Sequence, residues 1–376
     1  MEHRSGDAER VRAEVDALAA RTDPERADSI RPLSEGLNRN EYRLVSIAEL
    51  GPAEEPDWVW PGYAACGAIT LFTGLWKAGK TTLLGHLLRD LYRGGGLVES
   101  PVDGPVLIVS EEPDGLWANR REDLGLPETV LFLKRGTFAR PNRAEWAALL
   151  ADIADDVERL GIALVVFDTL PSAWPVMNEN DAGETLEALA PLRDIAAAGA
   201  AVLLIHHPRK GDGSEARATR GSGAVPGFVD VIVELRRYAP DDNEDTRRVL
   251  SAWGRFESTP AESVIDLQAD GYQVLGSRVT VRKGDELETI AELLPADGPG
   301  LTFEDVKEAW PSSPKPGKTR LRGLLNQGFN EGRWHRSGTG NRNDAWRYRA
   351  HPAGADSFRP GDTPRGRIET EVTRAN

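Results

Sequence analysis

Six short runs, apolar on both faces and separated by stretches of helical periodicity, fill the middle of this 376-residue chain: AITLFTG (68–74), PVLIVS (105–110), VLFL (130–133), IALVVFD (162–168), AVLLIHH (201–207) and VDVIVEL (229–235). A strand with one face in water alternates apolar and polar residues, whereas a strand that is apolar throughout has to be covered on both sides. With helices between the runs, a mostly parallel sheet flanked by helices provides that cover, so the expected fold class is α/β. Near residue 240 the rhythm changes. YAPDDNED reads as a polar turn, and RRVLSAWGRFE, VIDLQ and YQVLG read as short strands with tight connections, an antiparallel meander.

Length allows two or three domains, and a hydrophobic content of 40% excludes wholesale disorder. The formal net charge of −14 excludes coating of nucleic acid by the whole surface, because such binding sets Lys and Arg against phosphates. It leaves room for one basic patch. The single cysteine, Cys66, can form neither an intramolecular disulfide nor a multi-thiolate zinc site, which fits a reducing cytoplasm. The charged N-terminal stretch lacks the apolar core of an export signal, and no run approaches the roughly 18 apolar residues of a membrane span, so no membrane partner is expected.

Between the run AITLF and the helical pattern TTLLGHLLRDLY lies Gly74-Leu75-Trp76-Lys77-Ala78-Gly79-Lys80-Thr81, followed by Thr82. This is GxxxxGK[ST] in its strand–loop–helix setting. Its glycines let backbone N–H groups converge on phosphate oxygens at a helix N-terminus, Lys80 reaches the β/γ-phosphates, and the Thr81 hydroxyl ligates Mg²⁺. ATP and Mg²⁺ are the expected ligands.

Hydrolysis needs further groups at the ends of neighbouring strands. Asp168 ends IALVVFD, where a carboxylate can hold Mg²⁺ through water. Glu111 and Glu112 end PVLIVSEEP, where a carboxylate can orient and deprotonate the attacking water. Neighbouring strand residues point to opposite faces, so one of the two should face the nucleotide, and Glu111 is the first choice. AVLLIHH ends in His206 and His207. Adjacent side chains diverge, which argues against zinc; a polar residue here can instead sense the γ-phosphate and pass its state to the next loop. That loop, 208–223, carries Arg209, Lys210, Arg217 and Arg220 against Asp212 and Glu215 and is a candidate channel or DNA contact.

In this order the lead-in WVWPGYAACGAITLFTG, the GLWKAGKTT loop, VLIVSEEP, LVVFDTL, LLIHHPRK, TRGSGAVPGFVDVIVELRR and SAWGRFE resemble the RecA-like ATPases, and within them the RepA-type replicative helicases, which are related more distantly to DnaB helicases and KaiC. The resemblance covers about residues 44–278. It implies a homo-oligomeric ring, usually a hexamer, with ATP between subunits. His207 would be the γ-phosphate sensor, the 208–223 loop would face the central channel, and an arginine from the neighbouring subunit, Arg220 first and Arg255 second, would complete each site. Against the classic replicative helicases, this sequence is expected to act without a fused primase or large N-terminal collar domain and to carry an extra C-terminal module, so that ATP hydrolysis is expected more firmly than processive unwinding.

Beyond residue 280 the style changes again. ELETIAELL puts Leu287, Ile290, Leu293 and Leu294 on one helical face. A second helix is expected from Thr302, with Asp305 closing a capping box and Leu301 and Val306 placed as a staple. A third, from about 315 to 331, turns Leu321, Leu324, Leu325 and Phe329 inward and Thr319, Arg320, Gly323, Asn326, Gln327 and Asn330 outward. Two strand-like pieces around SGTGNRND follow as a hairpin. Three helices and a hairpin look like a winged helix-turn-helix, with Trp334, Trp346 and Tyr348 as core of the wing. Residues 315–349 hold nine Lys and Arg against two Asp and Glu, a net +7, while 281–314 hold three against eight. That segregation is an electrostatic footprint for DNA. Arg209, Lys210, Arg217, Arg320, Asn326, Gln327, Arg336 and Arg342 are the candidate contacts.

The expected organisation is a charged helical segment (1–40), a RecA-like P-loop ATPase domain (41–280), a winged helix-turn-helix domain (281–350) and a polar tail (351–376). The expected function is ATP hydrolysis coupled to DNA, as a helicase or loader, possibly of a mobile element. The competing expectation is a nucleotide-switched DNA-binding regulator that does not unwind.

Overall fold

Each of the six apolar runs becomes a strand of one nine-stranded sheet in the computed structural model of the protein, which describes residues 46–51, 55–133, 140–207, 223–311 and 315–351. Two units divide the chain, residues 1–56 and 57–376. The first contributes a 3₁₀ turn, Ile47–Glu49, capped by the Ser46 side chain, which accepts the Ala48 N–H. The expected helix within 1–40 and the tail from 352 lie outside the described residues.

In the second unit β1 (Trp58–Trp60) and β2 (Ala64–Ala65) form a short antiparallel ladder. The strands β3 (Ile69–Gly74), β4 (Val106–Ser110), β5 (Val130–Phe132), β6 (Leu164–Asp168), β7 (Ala201–His206) and β8 (Val231–Arg237) are joined by parallel pairings. The meander β9 (Arg247–Gly254), β10 (Glu262–Gln268) and β11 (Gly271–Gly276) extends the sheet antiparallel from β8. The order is β11-β10-β9-β8-β3-β7-β6-β4-β5, so β3 lies at the centre.

Alternation along each strand feeds two cores. Phe72, Val106, Ile108, Leu164, Val166, Leu203 and Ile205 pack with Leu83, Leu84, Leu87 and Leu88 of the helix Lys80–Arg93. Ile69, Leu71, Leu107, Val109, Val165, Phe167, Val202 and Leu204 pack on the opposite face with Trp146, Leu150, Ile153 and Val157 of the helix Arg143–Leu160. Both faces are therefore dry, which is why these strands are apolar throughout. The helix Arg143–Leu160 opens on a capping box between Asn142 and Glu145 and closes on the left-handed Gly161.

A third core is built from residues 287–350 alone. The helices Arg278–Leu293, Phe303–Glu308 and Lys318–Asn330 surround Leu287, Ile290, Val306, Leu321, Leu324 and Leu325, and a sheet of β12 (Leu301–Thr302), β14 (Arg347–Ala350) and β13 (Trp334–Ser337) closes it. Thr302 and Asp305 form the capping box. Trp334 and Tyr348 are buried, and Trp334 Nε1 donates to Leu325 O at 3.0 Å; Trp346 remains partly exposed.

Trp334 needs a glycine opposite it. A Cβ on Gly328 would sit 2.0 Å from the indole, whereas one on Gly323, on the outer face of the same helix, meets nothing within 4 Å. Gly328→Ala is expected to destabilise this part of the protein by about 1–3 kcal/mol through overpacking, and Gly323→Ala to stabilise it by up to about 1 kcal/mol through helix propensity. Thermal melts of the two variants should move in opposite directions; a shared direction would contradict this packing.

Candidate nucleotide site

The loop after β3 is shaped by two left-handed residues, Lys77 (φ 61°) and Gly79 (φ 99°), and Gly79 forms the N-cap of the helix Lys80–Arg93. Gly74 has no room for a side chain, since a Cβ there would lie 2.6 Å from Leu235 O on β8. Leu75 and Trp76 project into solvent. Lys80 turns back under the loop, buried, with Nζ donating to Gly74 O at 2.6 Å and Leu75 O at 3.2 Å. Burial lowers its pKa to about 8, against the opposing pull of the Asp168 carboxylate.

Strand alternation decides what else reaches this side. Leu164 and Val166 belong to the core under the helix Lys80–Arg93, so Asp168 follows them to that side. It is 3% exposed. Burial first, then the neighbouring Glu112 and Glu111, raise its pKa to about 7, with Arg120 and Lys80 pulling the other way. Its Oδ2 is buried and meets no hydrogen-bond donor among the described residues. A buried carboxylate oxygen without a donor, on the face of the sheet that the helix Lys80–Arg93 covers, suits a hard cation such as Mg²⁺, which takes few protein ligands and completes its shell with water and phosphate oxygens. No cluster of three or more His, Cys, Asp or Glu side chains fit to hold a metal occurs among the described residues.

The same parity carries His207 to the loop side, following Leu203 and Ile205. Its ring lies 5.1 Å from that of Trp76. Burial, then Lys80 and His206, lower its pKa to about 4, so it is neutral at pH 7 and able to donate or accept one hydrogen bond without adding charge. His206 faces the other way, 3.6 Å from Glu179 and edge-on to Trp174.

The two glutamates differ in surroundings. Glu111 is exposed, and its Oε1 is 3.5 Å from Thr169 Oγ1. Glu112 is half-buried, has the parity of Val106 and Ile108, and acts on Asp168 more strongly than Glu111 does. Arg120 grips it through both guanidinium nitrogens, one at 3.1 Å, and lies over Trp117 in the same core. These observations shift the choice of candidate base from Glu111 toward Glu112. Arg120 carries no sequence signal, because a turn and two helical turns separate it from its partner.

Arg255 is far from its own loop. Gly254 pairs with Val231, and Val231 with Thr70, four residues and roughly 13 Å of strand away from Gly74. Its guanidinium lies 3.4 Å from Asp230, which also accepts Ile69 N–H and Arg193. Arg209, Lys210, Arg217 and Arg220 lie outside the described residues.

Four of the candidate DNA contacts, Arg320, Asn326, Gln327 and Arg336, prove to be engaged within the protein. Arg320 pairs with the buried Glu286 at 2.7 Å, which also takes Arg282. Arg336 donates to Asn326 Oδ1 at 2.9 Å and is sandwiched between Phe329 and Trp346. Gln327 donates to Glu331. Helical projection identifies which side chains point outward but not which cross-element partners take them. Lys318, Arg342 and Arg349 are exposed and have no ion pair among the described residues.

Residues 37–213, a little under half of the chain, match the sequence family described as an AAA domain. The match spans the loop, both glutamates, Asp168 and His207, and it supports a P-loop ATPase domain with nucleotide-binding activity. No curated protein matches the chain. Among the described residues no helix is long and apolar enough to cross a membrane.

A raised carboxyl pKa makes a signed prediction. Folding favours the proton on Asp168, so its contribution to stability is complete below about pH 4 and is lost as pH rises through about 7. Without nucleotide or Mg²⁺, melting should fall between pH 5 and pH 8, and it should fall less in Asp168→Asn. Parallel pH profiles for the two proteins would contradict the environment described for Asp168.

Proposed function

We propose that this protein is a RepA-like ATPase acting on DNA, of the replicative helicase or loader type, with ATP hydrolysed between subunits of a homo-oligomeric ring. The observation that carries the ATPase reading is the convergence of Lys80, Asp168, Glu112 and His207 at one edge of one sheet, around a loop whose backbone is shaped for phosphate. Thr81 and Asp168 would hold Mg²⁺, which when bound neutralises charge on the phosphate oxygens. Beside a phosphate the positive charge of Lys80, which burial disfavours, gains the anionic partner that stabilises it. Glu112 accepts the proton of the attacking water, and Arg120 holds it in place. His207, neutral and stacked on Trp76, reads the end of the phosphate chain and adjoins the segment 208–222.

The DNA reading rests on the concentrated +7 of residues 315–349 in a chain of net −14. The helices and hairpin there are read as a winged helix-turn-helix whose contacts are Lys318, Arg342 and Arg349 on the exposed surface. Arg320, Asn326, Gln327 and Arg336 then shape that surface rather than touch DNA themselves. The position of Arg255 supports service in trans: it is too distant for its own loop, and in a head-to-tail ring the opposite end of one sheet can meet the nucleotide of the next.

Lys80→Ala is expected to lower ATP turnover at least 100-fold while retaining DNA binding, on the magnitude usual for electrostatic phosphate clamps. Arg255→Ala alone should also be slow. Mixing it with Lys80→Ala should restore activity at mixed interfaces, where an intact loop meets an intact arginine; no recovery would remove the trans role. ATP-driven strand displacement supports a motor, whereas specific duplex binding with slow, DNA-independent turnover supports a nucleotide-switched regulator instead.

A further inference from the structure

One arginine touches the phosphate loop from outside the constellation described above. Arg248 lies on β9, two strands from β3, and its Nε donates to Ala78 O at 3.0 Å. The same guanidinium donates through its NH1 nitrogen to Asp245 O at 3.0 Å and to Arg247 O at 2.8 Å. Three carbonyls thus fix a partly buried cation between the meander and the loop. Tyr272 adjoins the same spot, with its hydroxyl 3.9 Å from where a Gly79 Cβ would stand.

The consequence follows from peptide geometry. The Ala78–Gly79 bond is trans, so its C=O and N–H project in opposite directions. A carbonyl held outward by Arg248 turns the Gly79 N–H inward, where the amides of the loop converge on phosphate. Gly79 also has a positive φ, a conformation in which glycine readily rotates its peptide, so the orientation requires an external hold. A flipped peptide would present an oxygen to the phosphate instead of a donor.

We propose that Arg248 is a positioning residue for nucleotide binding, fixing the Ala78–Gly79 peptide with its N–H facing the phosphate. This rests on the reading of Gly74–Thr81 as the nucleotide loop. Arg247, next to it, supplies an internal comparison: it pairs with Asp245 and Asp285 at 2.8 Å each and lies over Tyr238, without reaching the loop.

The test uses the full-length protein as Arg248→Met, Arg248→Lys and Arg247→Met, with KM and kcat for ATP, Kd for a nonhydrolysable ATP analogue and nucleotide-free melting. Losing a hydrogen bond from a charged donor should raise KM and Kd about tenfold in Arg248→Met, with kcat little changed. Arg248→Lys should recover most of the affinity, since an ammonium can reach the same carbonyl, and Arg247→Met should bind as the parent does. Parental affinity in Arg248→Met, or an equal loss in Arg247→Met, would overturn the proposal. If Arg248→Met melts early, Arg248→Lys decides: parental melting with recovered affinity supports the proposal, and parental melting with lost affinity overturns it. Absence of nucleotide binding by the parent would instead remove the loop reading itself.

Discussion

Because β3, β4, β6 and β7 run parallel, their carboxyl ends share one edge of the sheet, and the candidate site gathers there: Asp168 ends β6, His207 and the two glutamates follow β7 and β4 directly, and the loop after β3 leads to Lys80. Parallel pairing requires crossovers, the crossovers are helices, and the helices dry both faces of the sheet. The site is thus a product of burial. Along β4, β6 and β7 the charged groups stand at or just beyond the strand ends, and there Asp168, like Lys80 after β3, remains largely covered yet borders the loop.

That partial burial sets the electrostatics. Lys80 is pushed toward neutrality and Asp168 toward protonation, each by desolvation and each partly relieved by the other. Two groups that disfavour their own charges are poised to bind charged partners, since a polyphosphate and a divalent cation restore what burial took away. Burial first, and then the nearby Lys80, hold the pKa of His207 down to about 4, which keeps it an uncharged hydrogen-bonding group.

Much of this was legible from residue order. Continuous apolar runs disclosed the parallel sheet, GLWKAGKT disclosed the loop, and strand-end parity indicates which of His206 and His207 faces it. Parity also separates Glu111 from Glu112, but only once it is known which of Leu107 and Ile108 packs beneath the helix Lys80–Arg93. Arg120 and Arg248 were not legible, because each acts through a contact between elements. The inward and outward faces of the helix Lys318–Asn330 follow from its periodicity, yet the pairing of Arg320 with Glu286 and the stacking of Arg336 needed three dimensions.

The separation of Arg255 from its own loop has a consequence for assembly. On the proposed reading, a lone subunit carries both halves of a catalytic interface but cannot bring them together. An open chain of subunits would always leave one loop without an arginine and one arginine without a loop, and only ring closure removes both defects. Specific activity would then rise with protein concentration and level off once closed rings predominate, so that dilution alone acts as an off-switch.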